Sequence, residues 1–591
     1  MLQNNFKTRD DLVSIVQNEN VHHFRLKEVL GASFFDKGYY YRPLVSLSYM
    51  IEYFFFKTDA FYYYLNNVLL HIASALVVLV LMRHFLKDIL LSFAVALLFA
   101  VHPIQWEAVA NISGRAILLN TFFLLLSFLT FILARDKKKF MLVSPVLFLL
   151  ALLSKESAGV FPLLLCCYQF VFPATNKDSW LVKMKPVFPF LGVACVYVLV
   201  RHSLGITRVL LWPDLRQAAL GFLTFLKGVM IYGRLIIFPA GLHFDRSLKI
   251  VPSFFSAEAQ VYLLIIIVFL LIRFRRRLPT EIKFFVLWIL IELIPVCQIP
   301  FALGAQKGYI SMAEHFLYAP SVPLFALVAM GGRYVYAVNR EHRVVSKFIL
   351  NAIMAGFLIF FYLSTIQHNI YAKNERAMFE RTLTFNPQNI RIRNSLAGLQ
   401  AQAGRIQAAQ ENYTQVLTQD PFNVQARIGL ARTLCAQGRL WDCLAEYEKV
   451  RDPGVYENLL EKNIELTYQA LEQKYKRAVK LEPQAAENYF SLGLLSQKKQ
   501  DDSKAVSYFL KAGALNPNFK ENFFHLGLSY ENMGQFDEAL EAYSVVIAQK
   551  DYSEFIDRQT CLRAYEIFQN LGEPQEYEKF IKEILQEMGD D

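Results

Sequence analysis

An all-α architecture in two parts is predicted for this chain: a polytopic helical membrane bundle of about 10–11 helices followed by a C-terminal α-solenoid. Three observations predict it. Apolar runs of bilayer length occupy the first two thirds, basic residues collect in short blocks between them, and a 34-residue period marks the last third.

Long apolar runs lie near residues 63–83, 88–105, 115–134, 186–202, 217–238, 316–338 and 347–365, with shorter ones near 140–154, 157–173, 259–273 and 281–299. None shows period-2 alternation, and lipid leaves backbone amides unsatisfied, so a helical bundle is expected rather than a barrel. The 54% hydrophobic content agrees, and the 51 Phe and 30 Tyr suit lipid-facing and headgroup-level positions. The positive-inside rule puts Arg135–Lys139, the stretch with Lys177, Lys183 and Lys185, Arg273–Arg277 and Arg333–Lys347 in the cytoplasm. Simple alternation places the third outside, so one segment between 186 and 260 is expected to be re-entrant. Residues 1–60, a first extracytoplasmic loop with an interfacial helix, then share a side with the solenoid at 375–591, and 61–366 form the membrane domain.

Net charge of +10 does not imply nucleic acid, because the basic residues are loop anchors, and no nucleic-acid partner is expected. The seven cysteines show no CxxC, and Cys166, Cys167, Cys195 and Cys297 lie in apolar segments, so neither a disulfide framework nor a zinc site is expected. Cys435 and Cys443 read as buried thiols within reach of each other. Residues 1–40 are polar and lack a signal-peptide core.

Pro387 to Pro421, Pro483 to Pro517 and Pro517 to Asp551 are each 34 residues apart, and Leu492, Gly493 and Ala505 recur as Leu526, Gly527 and Ala539. Small residues let paired helices approach and proline ends the second helix, which is the tetratricopeptide pattern. The unit between Asp452 and Pro483 is shortened, and 552–591 reads as a charged cap.

Several polar groups interrupt apolar sequence. Asp10 and Asp11 are adjacent carboxylates suited to a general base or to a divalent cation, the one cofactor considered, although an acidic pair near a terminus is also commonly just solvated. Arg42 precedes Pro43 and an interfacial helix at 44–56, and Asn67 and His71 share a helix face, as glue or as site. His102, Glu107 and Arg115 occupy VHPIQWEAVANISGR, a turn where a wet pocket or a Glu107–Arg115 ion pair would relieve the cost of burying charge. Lys155 in LLSKE, Arg234 in YGRLIIFP, and Glu314 with His315 in AEHFLYAPSV complete the set, the cations suiting a lipid phosphate.

In this order, DD, YYRPLVSLSYMIEY, NNVLLH, LLFAVHPIQWEAVANISGR, LLSKE, AEHFLYAPSV and a trailing repeat array resemble the transmembrane and tetratricopeptide-repeat O-mannosyltransferase-like family in its bacterial form. The resemblance implies a GT-C glycosyltransferase fold, a polyprenyl-phosphate sugar donor, a protein or other hydroxyl acceptor held by the repeats, and a bacterial inner membrane with the repeats periplasmic. Carried over by position, Asp10 and Asp11 match the family's acidic pair, His102, Glu107 and Arg115 its HP-x-x-x-E-A-V…GR stretch, and Glu314 with Tyr318 its E-R-Y-x-Y-x-P stretch; Asp10, Asp11 and Glu107 are then the catalytic candidates, and Arg42, His102, Arg115, Lys155, Arg234, Glu314 and His315 the donor-phosphate candidates, with no protein metal site. Three departures stand out: the acidic pair comes at the tenth residue, where relatives place a membrane helix first; Ala116 and Ile117 follow Arg115 where an acidic residue is common; and His315 replaces a preferred Arg. The first implies either a truncated chain or a misassigned start codon, and the three together imply loss of activity with the fold retained as one expectation. Inverting transfer is the expected reaction, one aspartate acting as base and Arg115 or Arg234 holding the leaving phosphate. The alternatives are a non-catalytic membrane scaffold for envelope assembly and an O-antigen-ligase-like transferase.

Overall fold

The structure is a computed structural model describing residues 9–31, 33–34, 40–137, 139–173, 179–206, 215–256, 278–297, 309–342, 347–549 and 555–571. The expected span at 259–273, the basic block Arg273–Arg277, much of the loop at 300–315 and most of the cap lie outside the described residues. The chain forms two compact units, Met1–Leu396 and Ala397–Asp591.

In the first unit five helices among the described residues are long and apolar enough to cross a bilayer: Ala60–Leu86, Ile112–Leu133, Trp180–Ser203, Ala218–Ile237 and Ser321–Val338. The all-α class stands, but several expected spans are shorter helices, including Phe140–Ser154 and Thr280–Leu293. Among the described residues the membrane unit has a sharp break in one apolar helix pair. This break separates Ile89–Val101 from Pro103–Val109, which are bent by 47°, because Pro103 cannot continue the helix and His102 Nδ1 accepts the Ile104 amide at 3.1 Å to start a new turn. A second break is at Lys155, whose extended backbone ends Phe140–Ser154; Asn120 Nδ2 donates to the freed carbonyls of Ala151 and Lys155 at 3.2 and 3.1 Å.

Helix Ala60–Leu86 shows how the membrane unit is organised. Leu69, Ile72, Leu76 and Val80 form an exposed apolar stripe, while Asn67, His71, Ser74 and Val78 are buried. Polar groups turned inward find partners that lipid cannot offer. Ser127 and Ser144 do the same between Arg115–Leu133 and Phe140–Ser154, each hydroxyl donating to the other's carbonyl at 2.8 and 2.6 Å. The sequence did not announce a small sheet found among the described residues, Arg246–Lys249 antiparallel to Tyr309–Met312 with Arg246 opposite Met312. The stretch after helix Glu375–Phe385 docks beside it, Asn386 Nδ2 donating to Ser247 O at 3.2 Å and Arg391 pairing with Asp245 at 2.6 Å. Helix Glu375–Phe385 and the stretch that follows it thus belong to the first unit.

The second unit repeats one packing device. An added Cβ at Gly493 would overlap Phe509, and one at Gly527 would overlap Tyr543, so the 34-residue recurrence of glycine reports a ring lying on helix backbone. The shortened unit is one long helix, Glu457–Leu481. Cys435 and Cys443 are not thiols but a disulfide with Cα atoms 5.3 Å apart, a correction: helices Val424–Ala436 and Leu440–Glu448 turn back so tightly that the two side chains meet.

Candidate active site

The loop from His102 to Arg115 is the frame of the site. Gly114 packs so closely on the Ala108 carbonyl that any Cβ would overlap backbone. Asn111 Nδ2 donates to Glu107 O at 2.9 Å, and Asn67 Nδ2 donates to Asn111 O at 2.8 Å, so the loop is laced to itself and to the helix beneath. The acidic pair docks here. Asp11 is 1% exposed and its Oδ1 accepts the Ser113 amide at 3.1 Å, whereas Asp10 is exposed. Glu375 joins them: burial, reinforced by Asp11 and Asp10, pushes its carboxyl up to about 7. Among the described residues no group of three or more His, Cys, Asp or Glu is arranged to hold a metal ion.

Three phosphate candidates have their polar groups engaged within the protein. Arg115 is 1% exposed and pairs with Glu52 at 2.6 Å, not with Glu107. Its Nε donates to Asn67 Oδ1 at 2.5 Å and its Nη2 to Tyr63 O at 2.8 Å, so its fork is held by groups of the core. His102 is likewise committed, Nε2 to Ile236 O at 2.9 Å and Nδ1 to the Ile104 amide. Glu314 is fully buried and accepts from Trp106 Nε1 at 2.7 Å, the His243 amide at 2.9 Å and Arg246 Nη2 at 3.1 Å. Burial, with Glu107 adding to it, lifts the Glu314 carboxyl to about 7 against the pull of Arg246. A carboxyl group filled in this way supports the loop. Arg234 is exposed near the end of helix Leu215–Ile237 and joins none of these groups among the described residues.

Four candidates do come together. Glu107 is 2% exposed and turns both oxygens on His315, accepting its amide at 2.9 Å and Nδ1 at 2.7 Å. Arg42 grips Glu156 through Nε at 3.1 Å and Nη2 at 2.8 Å, with Tyr40 4.4 Å from the guanidinium. Lys155 lies within the field of both pairs: burial first and Arg42 second lower its ammonium to about 8, with Glu156 and Glu107 opposing. Its Nζ has no hydrogen-bond partner among the described residues. Glu52, Trp106, His243 and Arg246 went unnoticed in the sequence; for Glu52 the signal was a lone carboxylate within the aromatic, apolar stretch YMIEYFFF, which demands a buried partner.

Fold and site together define an integral membrane protein with a buried ionic site and a C-terminal tetratricopeptide array. Tetratricopeptide-repeat models match residues 400–453, 486–519 and 521–549, leaving out the stretch that contains the long helix. The resemblance read from the motifs is met by curated relatives. A protein O-mannosyl-transferase of Caenorhabditis elegans is 24% identical over 64% of this chain and 54% of its own length. Human protein O-mannosyl-transferase TMTC3 is 24% identical over 90% of this chain and 64% of its own. The chain thus spans between half and two thirds of the length of these relatives. Among solved structures, a thermophilic tetratricopeptide-repeat protein of Thermus thermophilus is 22% identical over 34% of this chain and 92% of its own, with a TM-score of 0.18.

Proposed function

We propose that this chain is a membrane glycosyltransferase moving a sugar, mannose or another hexose, from a polyprenyl-phosphate donor to a protein hydroxyl. The observation that carries the reading is the Lys155 ammonium, half-buried without a hydrogen-bond partner among the described residues, set in the field of the Arg42–Glu156 and Glu107–His315 pairs. A desolvated cation with open donors suits a phosphate that gains charge as the sugar departs. Lys155 and Arg42 take the role that Arg115 and Arg234 do not fill.

The base is Asp10, whose carboxylate is exposed while Asp11 holds the segment on the loop that bears Glu107. Asp10 removes the proton from the acceptor hydroxyl, the oxygen attacks the anomeric carbon, and the lipid phosphate leaves with the bonding pair toward Lys155. The repeat array binds the acceptor polypeptide. A bacterial inner membrane with the repeats on the periplasmic side fits this chemistry, and the Cys435–Cys443 disulfide supports an oxidising compartment for that unit. The test is transfer of labelled mannose from polyprenyl-phosphate mannose by the purified full-length protein. Asp10→Asn should abolish labelling while leaving donor binding intact, and equal labelling by both proteins would remove the base.

A further inference from the structure

We propose that the corner formed by residues 22–30 and the end of helix Pro43–Phe56 is a binding surface for anionic phospholipid. It is separate from the glycosyl-transfer reading and does not rest on it. Phe54 and Phe55 close the helix 61% and 67% exposed, with Ile51 exposed one turn earlier. Phe24 meets Phe54, ring centroids 6.2 Å apart at 70°, and Leu26 and Leu30 of the short helix that follows Phe24 are exposed as well. Phe24 holds φ at 53°, a left-handed conformation that disfavours an aromatic residue. Strained backbone that keeps a ring 48% exposed would be doubly unfavourable in water, so the ring calls for an apolar cover.

What covers it follows from position. Only Lys57, Thr58 and Asp59 separate helix Pro43–Phe56 from Ala60–Leu86, which is long and apolar enough to cross a bilayer. Phe54 and Phe55 therefore lie within a few residues of the end of a span, at headgroup depth. The apolar edge runs on through exposed Phe61 into the stripe of Leu69, Ile72, Leu76 and Val80, so a leaflet that covers the stripe covers the corner too.

Charge sets the class of lipid. Lys57 Nζ stands 5.3 Å from the centre of the Tyr53 ring, on which His22 is stacked at 4.0 Å, and this brings Lys57 to the segment bearing Phe24, Arg25 and Lys27. Arg25, Lys27 and Lys57 are exposed and form no ion pair among the described residues, and Glu28 is the one carboxylate between Phe24 and Gly31. Uncompensated cations around an aromatic edge fit a headgroup of net negative charge, from which they gain more than from a zwitterionic one.

The experiment compares tryptic cleavage after Arg25 and Lys27 in the full-length protein, held in nanodiscs of phosphatidylcholine alone or with about a third phosphatidylglycerol. Cleavage within the repeats serves as the internal control. Phosphatidylglycerol should slow cleavage at both sites about tenfold, and about 0.5 M salt should restore it. Phe24→Asn, which suits the left-handed backbone, should melt no lower than the native chain in detergent and yet lose the protection. Lys57→Gln should weaken the protection at Arg25. Equal cleavage in the two nanodiscs overturns the inference: fast in both leaves the corner in water, and slow in both makes its cover a zwitterionic leaflet or another stretch of the chain. Protection that survives in Phe24→Asn, or that salt does not relieve, overturns it as well.

Discussion

The two units are held together by opposite strategies. In the repeats, each ring meets a glycine 16 positions away, Phe509 on Gly493 and Tyr543 on Gly527, so structure propagates between neighbours. In the membrane unit the decisive contacts join distant sequence: Arg115 with Glu52 across 63 positions, Arg42 with Glu156 across 114, and His315 with Glu107 across 208. Lipid explains the difference. Apolar side chains gain little by leaving lipid for protein, so inward polar groups and ion pairs specify which helices meet. Damage to one repeat should stay local, whereas damage to one buried ion pair should reach the whole unit.

The largest effect expected is from Arg115→Met. It strands Glu52 in the core and should cost about 3–5 kcal/mol, read as loss of monodisperse protein and a collapsed melting temperature. Adding Glu52→Gln should restore much of it, and a double variant no better than the single would show that the pair does not specify the bundle. Gly114→Ala and Gly527→Ala sharpen the contrast at about 1–3 kcal/mol each. The first forces backbone apart and should raise hydrogen exchange across the site loop, while the second should raise exchange only in the repeats around Gly527. At the small end, Lys155→Gln should weaken donor binding by about tenfold without shifting the melt. Because the folded Lys155 ammonium titrates near 8, its contribution is present at neutral pH and lost as pH rises through that value; Lys155→Arg should push the loss upward.

Much of the architecture was legible in the sequence. Run length, charge blocks and the 34-residue recurrence are local properties, and they gave the all-α bundle, a helix at 44–56 that the structure has as Pro43–Phe56, and the repeats. The site was legible as a list of polar residues but not as a set of pairs. Both the wet-pocket and ion-pair readings of Glu107 and Arg115 assumed that groups eight positions apart cooperate, yet each found a partner elsewhere. His102 looked like chemistry and is a cap, because a proline-broken helix needs an acceptor at its new start.

The sequence by itself determined where helices form and which stretches are apolar enough for a bilayer, since both follow from composition over a few turns. Only the tertiary structure decided which charges are committed and which remain available, because burial of an ionic group is settled by the element opposite it. That choice consigned Arg115 to the core and, among the described residues, left Lys155 Nζ and His315 Nε2 without hydrogen-bond partners.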